Sequence, residues 1–152
     1  MKKNLITLIV VSVVALLILL FSLVFSNRNE KVAILKINNT QINIEVADND
    51  LKREKGLSGR VEIAKDEGML FVFEREDYYG FWMKDMNFPI DIAWLDKNKK
   101  IVHIENSVSP ETYSKKIPPK VFKPNSPSLY VLETQANFFK NHNINIGDFV
   151  EF

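Results

Sequence analysis

Alternation of apolar and polar residues is the clearest pattern after residue 30 of this chain. In TQINIEVA (40–47), every second residue from Ile42 to Val46 is apolar, which is typical of a β-strand with one buried face. KVAILKIN (31–38) alternates in the same way. Asparagine tolerates positive φ, so the pair at 38 and 39 predicts a hairpin turn between the two strands.

Further β-rich runs follow at residues 69–74, 80–84, 89–96, 100–108, 129–134 and 144–152. Two short helices are also predicted. The first is capped by Asp48 or Asp50 and ends at Gly56, and the second lies in QANFFKNHN (135–143). Strands and helices do not alternate as βαβ units. The pattern therefore predicts an α+β, mainly β domain with a barrel-like, mostly antiparallel sheet of about seven strands.

Residues 109–127 interrupt this pattern, because they contain five of the six prolines of the chain. Proline removes a backbone donor, so this segment forms neither a regular helix nor a central strand. Connections of this length are uncommon unless they have a function. We therefore predict a lid or a binding loop here.

The N-terminus has a different character. Residues 4–27 contain no charged residue, and the apolar run at 5–25 would span roughly 30 Å as a helix, the thickness of a bilayer core. Lys2 and Lys3 precede it, which favours a cytoplasmic N-terminus. We expect residues 1–28 to be a single-pass anchor in the cytoplasmic membrane, with residues 29–152 as one extracytoplasmic domain.

A cleaved signal peptide is the alternative interpretation of this run. Such peptides have a shorter apolar region, of about 7–15 residues, and end in a small-residue cleavage site. Val24-Phe25-Ser26 matches that site weakly. If residues 1–26 were removed, the domain would be secreted.

Charge and residue types exclude several classes of function. Residues 27–152 hold all 19 acidic residues and 18 of the 20 basic ones, a net charge of −1, whereas nucleic-acid binding needs a concentrated basic face. The chain has no cysteine, and its two histidines, His103 and His142, lie in separate elements without clustered ligands. Catalytic and dinucleotide-binding motifs are missing as well. We expect no nucleic-acid partner, no metal and no cofactor, and we assign no catalytic residue.

Asp91 is the most conspicuous polar residue in the chain. It lies in PIDIAWLD (89–96), where both faces of the predicted strand are otherwise apolar. A buried carboxylate needs a partner. We expect Asp91 to be buried and paired with Arg60, because a guanidinium grips a carboxylate with two parallel bonds, and we expect Lys84 to lie nearby. This pair is either a structural anchor or part of a ligand site.

Five blocks carry a resemblance to a known family. They are GLSGR (56–60), GMLFVFE (68–74), FWMKDMNFPIDIAWLD (81–96), YVLET (130–134) and NIGD (145–148). In this order they resemble domain of unknown function family 192 over about residues 32–152. The resemblance implies a compact, mainly β and frequently exported domain, and it implies no established activity. Asp85 and Ser58 stand where the family commonly has Asn and Met.

These observations lead to three functional hypotheses. The first is a non-enzymatic, membrane-anchored binding module for an envelope glycan, a small polar ligand or a protein, with Arg60, Trp82, Lys84, Asp91 and Glu133 as candidate ligand contacts. The second is a hydrolase acting on envelope glycans, with Asp91 and Glu133 as an acid/base pair. The third is a structural docking domain. The sequence does not determine the oligomeric state.

Overall fold

The computed structural model describes residues 12–16, 18–19, 32–114 and 119–152. The chain divides into two compact units, residues 1–31 and 32–152. The described residues of the first unit are helical, and within the described parts of the chain no helix is both long and apolar enough to cross a membrane. Most of the predicted membrane helix over 5–25 lies outside the described residues, so the anchor stays a prediction.

The second unit is a mainly β domain. Its strands are β1 (Val32–Ile37), β2 (Thr40–Ala47), β3 (Glu67–Asp77), β4 (Ile90–Leu95), β5 (Ile101–Val108), β6 (Ser128–Gln135) and β7 (Val150–Glu151). Two short α-helices, α1 (Asp50–Lys55) and α2 (Phe138–Asn141), and one 3-10 turn (Pro110–Thr112) complete it.

The seven strands form one sheet in the order β5-β4-β6-β3-β2-β1-β7. Every neighbouring pair is antiparallel except β2 and β3. The sheet curves into a half-barrel, and its two edges meet at one end through a bridge between Lys100 and Phe149. The N–H of Ile101 donates to the carbonyl of Asp148 there, at 2.9 Å. The prediction of a mostly antiparallel, barrel-like sheet is confirmed in this form.

The asparagine and glycine residues expected at turns and helix ends mark most of these positions correctly. Asn38 has φ 53° in the hairpin turn, and Gly147 has φ 105° in the turn before β7. Helix α1 ends at Gly56 as predicted, but its capping side chain is Asn49, whose Oδ1 accepts from the N–H of Lys52 at 3.0 Å. The predicted caps Asp48 and Asp50 were therefore wrong by one residue.

Two predicted strands are much shorter than expected. In residues 80–84 only Phe81 pairs, with Phe122, because the chain then turns through Asp85 at φ 55°. The run at 144–152 keeps only the two residues of β7, since the Gly147 turn occupies its middle. Met83 and Ile144 in these runs are buried without extending the sheet, whereas Trp82, Ile146 and Phe149 are exposed.

The sheet buries both of its faces. All seven strands contribute to an inner core, which lies within the half-barrel and includes both phenylalanines of α2. The other face is covered by loops and forms an outer core. Its buried members are Ala47, Leu57, Ile63, Met69, Phe71, Met83, Ile90, Ile92, Trp94, Val108, Phe122 and Val131.

The proline-rich segment takes part in this outer core. Phe122 is buried and exchanges two backbone hydrogen bonds with Phe81, at 2.9 and 2.8 Å. Tyr113 also packs against the outer core. For the described residues of 109–127, the prediction of a free lid is therefore wrong, because these aromatic side chains bury apolar surface against the sheet.

Candidate functional site

Asp91 is completely buried, as predicted, but its partners are backbone groups. Its Oδ1 accepts from the N–H groups of Ser107 at 2.7 Å and Asn137 at 3.0 Å. Its Oδ2 accepts from the N–H of Phe139 at 3.2 Å. Three donors surround one carboxylate, and two of them belong to the start of α2, where helix N–H groups lack partners. Asp91 thus fastens α2 to the inner core.

The predicted pair between Asp91 and Arg60 is wrong, because the two residues serve opposite faces of the sheet. Asp91 alternates with Ile90 and Ile92, which belong to the outer core, so its side chain points inward. Arg60 pairs instead with Glu45, through Nη1 to Oε1 at 2.6 Å and through Nη2 to Oε2. Glu45 alternates with the inner residue Ile44 on β2 and so faces outward.

The same alternation of side chains separates Asp91 from Glu133, the two residues proposed as an acid/base pair. Asp91 lies opposite Thr134 in the ladder between β4 and β6, whereas Glu133 lies opposite Ile92. Partners in a ladder share a face, so Glu133 points into the outer face and Asp91 into the inner one. The two carboxyl groups therefore do not flank a common substrate.

Glu133 occupies an unusual environment on that outer face. It lies between Ile92 of β4 and Met69 of β3, and it is only 5% exposed. Among the described residues its carboxyl group makes no hydrogen bond. Burial raises the pKa of Glu133 from 4.5 to about 8, while the positive charge of Arg60 acts in the opposite direction.

The Glu133 carboxyl group nevertheless keeps some access to solvent. Every fully enclosed side-chain nitrogen or oxygen in the described residues has a hydrogen-bond partner. Because the Glu133 oxygens have none, they keep a small exposed area and are not fully enclosed. A shallow cavity of about 310 Å³ lies alongside, lined by Glu62, Ile63, Phe88, Pro89, Gln135 and Ala136.

Glu133, Glu45 and Arg60 form one cluster, which we call the outer acid site. Glu133, Met69 and Glu45 lie opposite one another on β6, β3 and β2. Two strand spacings place the Cα atoms of the two glutamates about 10 Å apart. Arg60 binds Glu45 directly and acts electrostatically on Glu133.

The loop that carries Arg60 is held by a second loop. The Asn87 side-chain amide donates to the carbonyl of Arg60 at 2.7 Å. The N–H of Gly59 donates to the carbonyl of Asp85 at 2.8 Å, and Ser58 Oγ donates to the carbonyl of Lys84 at 2.9 Å. These contacts hold the backbone of the Arg60 loop, while Glu45 holds its guanidinium.

The remaining predicted contacts lie elsewhere. Lys84 is exposed, and its backbone rather than its ammonium group positions the Arg60 loop. Trp82 is 51% exposed and touches Tyr113 edge-on, with ring centroids 6.3 Å apart. Of the five predicted site residues, the structure therefore brings only Arg60 and Glu133 together.

This architecture agrees with the comparison with protein families. The model of DUF192, the domain of unknown function family described as Uncharacterized ACR, matches residues 33–152. The chain belongs to this family. The resemblance of its five blocks is thereby confirmed, and Asp85 at φ 55° is one site where the family's common Asn and this chain's Asp both tolerate a left-handed backbone.

Solved structures similar to this DUF192 chain have the same fold. A protein from Sinorhizobium meliloti 1021, described as a candidate transcription regulator, is 26% identical with a TM-score of 0.73, over 80% of this chain and 94% of the other. A protein of unknown function from Novosphingobium aromaticivorans DSM 12444 is 23% identical with a TM-score of 0.74, over 83% and 89%. No curated protein matches the chain.

Sequence reasoning missed Glu45 in this DUF192 domain. Its position on the polar face of β2 suggested a solvated side chain, whereas its side chain is 23% exposed beneath Arg60. The alternation of β2 does separate Glu45 from the inner residue Ile44, and the pairing of β2 with β3 then places Glu45 on the same face as Met69. The sequence pattern does not specify this pairing.

Proposed function

We propose that residues 32–152 are a non-enzymatic binding module for a small polar ligand, held at the outer face of the cytoplasmic membrane by residues 5–25. The observation that carries this proposal is Glu133, an almost fully buried carboxyl group that makes no hydrogen bond within the described part of the chain. An unpartnered buried acid lowers the stability of a fold. Residues that lower the stability of a fold in this way are concentrated at functional sites.

The outer acid site has the other properties of a binding site. Asn87 holds the backbone of Arg60, and Glu45 holds its guanidinium, so the positive charge is positioned in advance. Apolar side chains of the outer core, such as Met69 and Ile92, surround the carboxyl group of Glu133. Small-molecule sites combine such apolar walls with a few fixed polar groups.

A binding role fits better than hydrolysis on envelope glycans. Hydrolysis by two carboxyl groups needs one free to act as base or nucleophile beside the acid. Asp91 accepts three backbone hydrogen bonds on the opposite face, and Glu45 is gripped by both terminal nitrogens of Arg60. Neither Asp91 nor Glu45 is therefore a free carboxylate that could act together with Glu133.

Transcription regulation through nucleic-acid binding has little support in this chain, although the Sinorhizobium meliloti neighbour is described as a candidate transcription regulator. The net charge of residues 27–152 is −1, and binding to the phosphate backbone depends on a concentration of basic residues. A docking domain without a ligand site would leave Glu133 unexplained.

Ligand-observed NMR with a library of small polar compounds tests this proposal. Three proteins are compared: the unaltered chain, Glu133→Gln, and Glu151→Gln as a control that removes an exposed acid on β7. We expect compounds that bind the unaltered chain and the control and that bind Glu133→Gln at least about tenfold more weakly. Binding of equal strength to all three proteins would refute the proposal.

A further inference from the structure

The arrangement of groups in the outer acid site identifies the class of ligand. We infer that the site takes a small organic cation, a primary ammonium group on a narrow apolar chain, with Glu133 as its direct partner. This inference rests on the proposed binding function. It adds the charge and the hydrogen-bonding character of the ligand.

The Glu133 carboxyl group is the part of the site that lacks a hydrogen-bond donor. Both terminal nitrogens of Arg60 donate to Glu45. The Glu133 oxygens receive no donor from the described residues. An ammonium group brings three donors and no acceptor, whereas a carboxylate ligand would bring only more acceptors.

The charges lead to the same class of ligand. Ionised Glu133 and Glu45 carry two negative charges against the single positive charge of Arg60. A bound monocation balances the cluster. A bound monoanion would leave two negative charges in excess if Glu133 were ionised and one if Glu133 were protonated. An uncompensated charge in a desolvated site is strongly unfavourable.

The walls of the site set the shape of the ligand. Ile92 and Met69 stand on either side of Glu133, and Val131 precedes it on the same face of β6. These side chains would contact an aliphatic body. Because only 5% of Glu133 is exposed, a narrow chain would reach its carboxyl group with less displacement of these side chains than a bulky ring system.

Binding of this cation is coupled to release of a proton to solvent, because Glu133 must be ionised to pair with it. The neighbouring strands present Ile92 and Met69 towards Glu133, and the covering loop presents Arg60. The other titratable groups of the strands on this face are Glu67, two residues before Met69 on β3, Glu45 on β2, and the Glu105 and His103 pair on β5, beyond Ile92. Below pH 8, apparent affinity should therefore fall by up to about tenfold per pH unit.

Three four-carbon probes separate the alternatives: butylammonium, butyrate and butanol. The full chain in a non-ionic detergent is labelled with ¹³C at the carboxyl carbons of glutamate, and the Glu133 signal is assigned by its absence in Glu133→Gln. We expect butylammonium to shift this signal saturably and more strongly as pH rises from 6 to 8. We expect Glu133→Gln to bind butylammonium at least about tenfold more weakly, and Glu151→Gln to bind it normally.

Each other outcome has a definite meaning. If butyrate or butanol shifts the Glu133 signal and butylammonium does not, the cationic class is wrong and the binding function stands. If butylammonium binds equally well to Glu133→Gln, it binds elsewhere and the inference is overturned. If none of the three probes affects Glu133, both the inference and the ligand site on which it rests are overturned.

Discussion

Replacing Glu133 by glutamine should change how the stability of the domain depends on pH. The substitution keeps the size and shape of the side chain and removes its ability to ionise. In the folded protein burial raises the pKa of Glu133 to about 8, against an ordinary value of 4.5. The folded state therefore holds a proton that the unfolded chain releases at a lower pH.

The size and sign of the effect follow from this difference. Where the folded state binds more protons than the unfolded state, stability falls as pH rises. For Glu133 this contribution is fully present below pH 4.5 and is lost progressively until pH passes about 8. Each pH unit between the two values is worth about 1.4 kcal/mol, so the whole interval amounts to roughly 5 kcal/mol.

Urea unfolding of residues 27–152 at intervals from pH 4 to pH 9 measures this effect. We expect the free energy of unfolding of Glu133→Gln, relative to the unaltered domain, to rise across the interval and then level off. The buried amide of glutamine adds a constant offset, so the slope rather than any single value is the readout. Glu151→Gln, which alters an exposed acid, should give a flat difference. A flat difference for Glu133→Gln as well would refute the reasoning.

Three further predictions follow from the same structure. Asp91→Ala leaves three backbone donors without their acceptor and should lower the free energy of unfolding by about 3 kcal/mol or more in urea titrations, whereas an effect under 1 kcal/mol would contradict its anchoring role. Arg60→Leu should lower the free energy of unfolding by about 1 kcal/mol or less, because its ion pair is partly exposed. In a ¹³C titration the same substitution should raise the pKa of Glu133 further, since the positive charge of Arg60 lowers it. Arg75→Leu, at an exposed position, should leave the pKa of Glu133 unchanged. A reporter fused after Phe152 should be active only outside the cytoplasm and remain in the membrane fraction, and a soluble, shortened form beginning near Asn27 would instead indicate a cleaved signal peptide.

The strands that the sequence predicted well are those in which burial alternates. β2 and β4 were recognised because one or both of their faces are apolar, and the same pattern correctly placed Asp91 in a buried position. The strand expected at 80–84 has equally apolar residues but no partner beyond Phe122. Alternation reports which side chains are buried, whereas pairing depends on segments distant in the chain.

The partners of the candidate residues were predicted less well for a related reason. Charge complementarity suggested Arg60 for Asp91, yet the donors that surround Asp91 are backbone N–H groups 16 to 48 residues further along. Backbone donors leave no trace in the residue types. Glu133 was among the candidate residues, but its isolation from donors arises only when β3 and β4 enclose it.

The pKa of Glu133 is the measurement that tests this account most directly, because the proposed site depends on a buried and unpartnered carboxyl group. A ¹³C titration of the labelled carboxyl carbon in residues 27–152, without any ligand, gives this value. The account predicts a midpoint near pH 8. A midpoint near 4.5, the ordinary value for glutamate, would mean that Glu133 is solvated or paired, and the proposed ligand site would then have no basis.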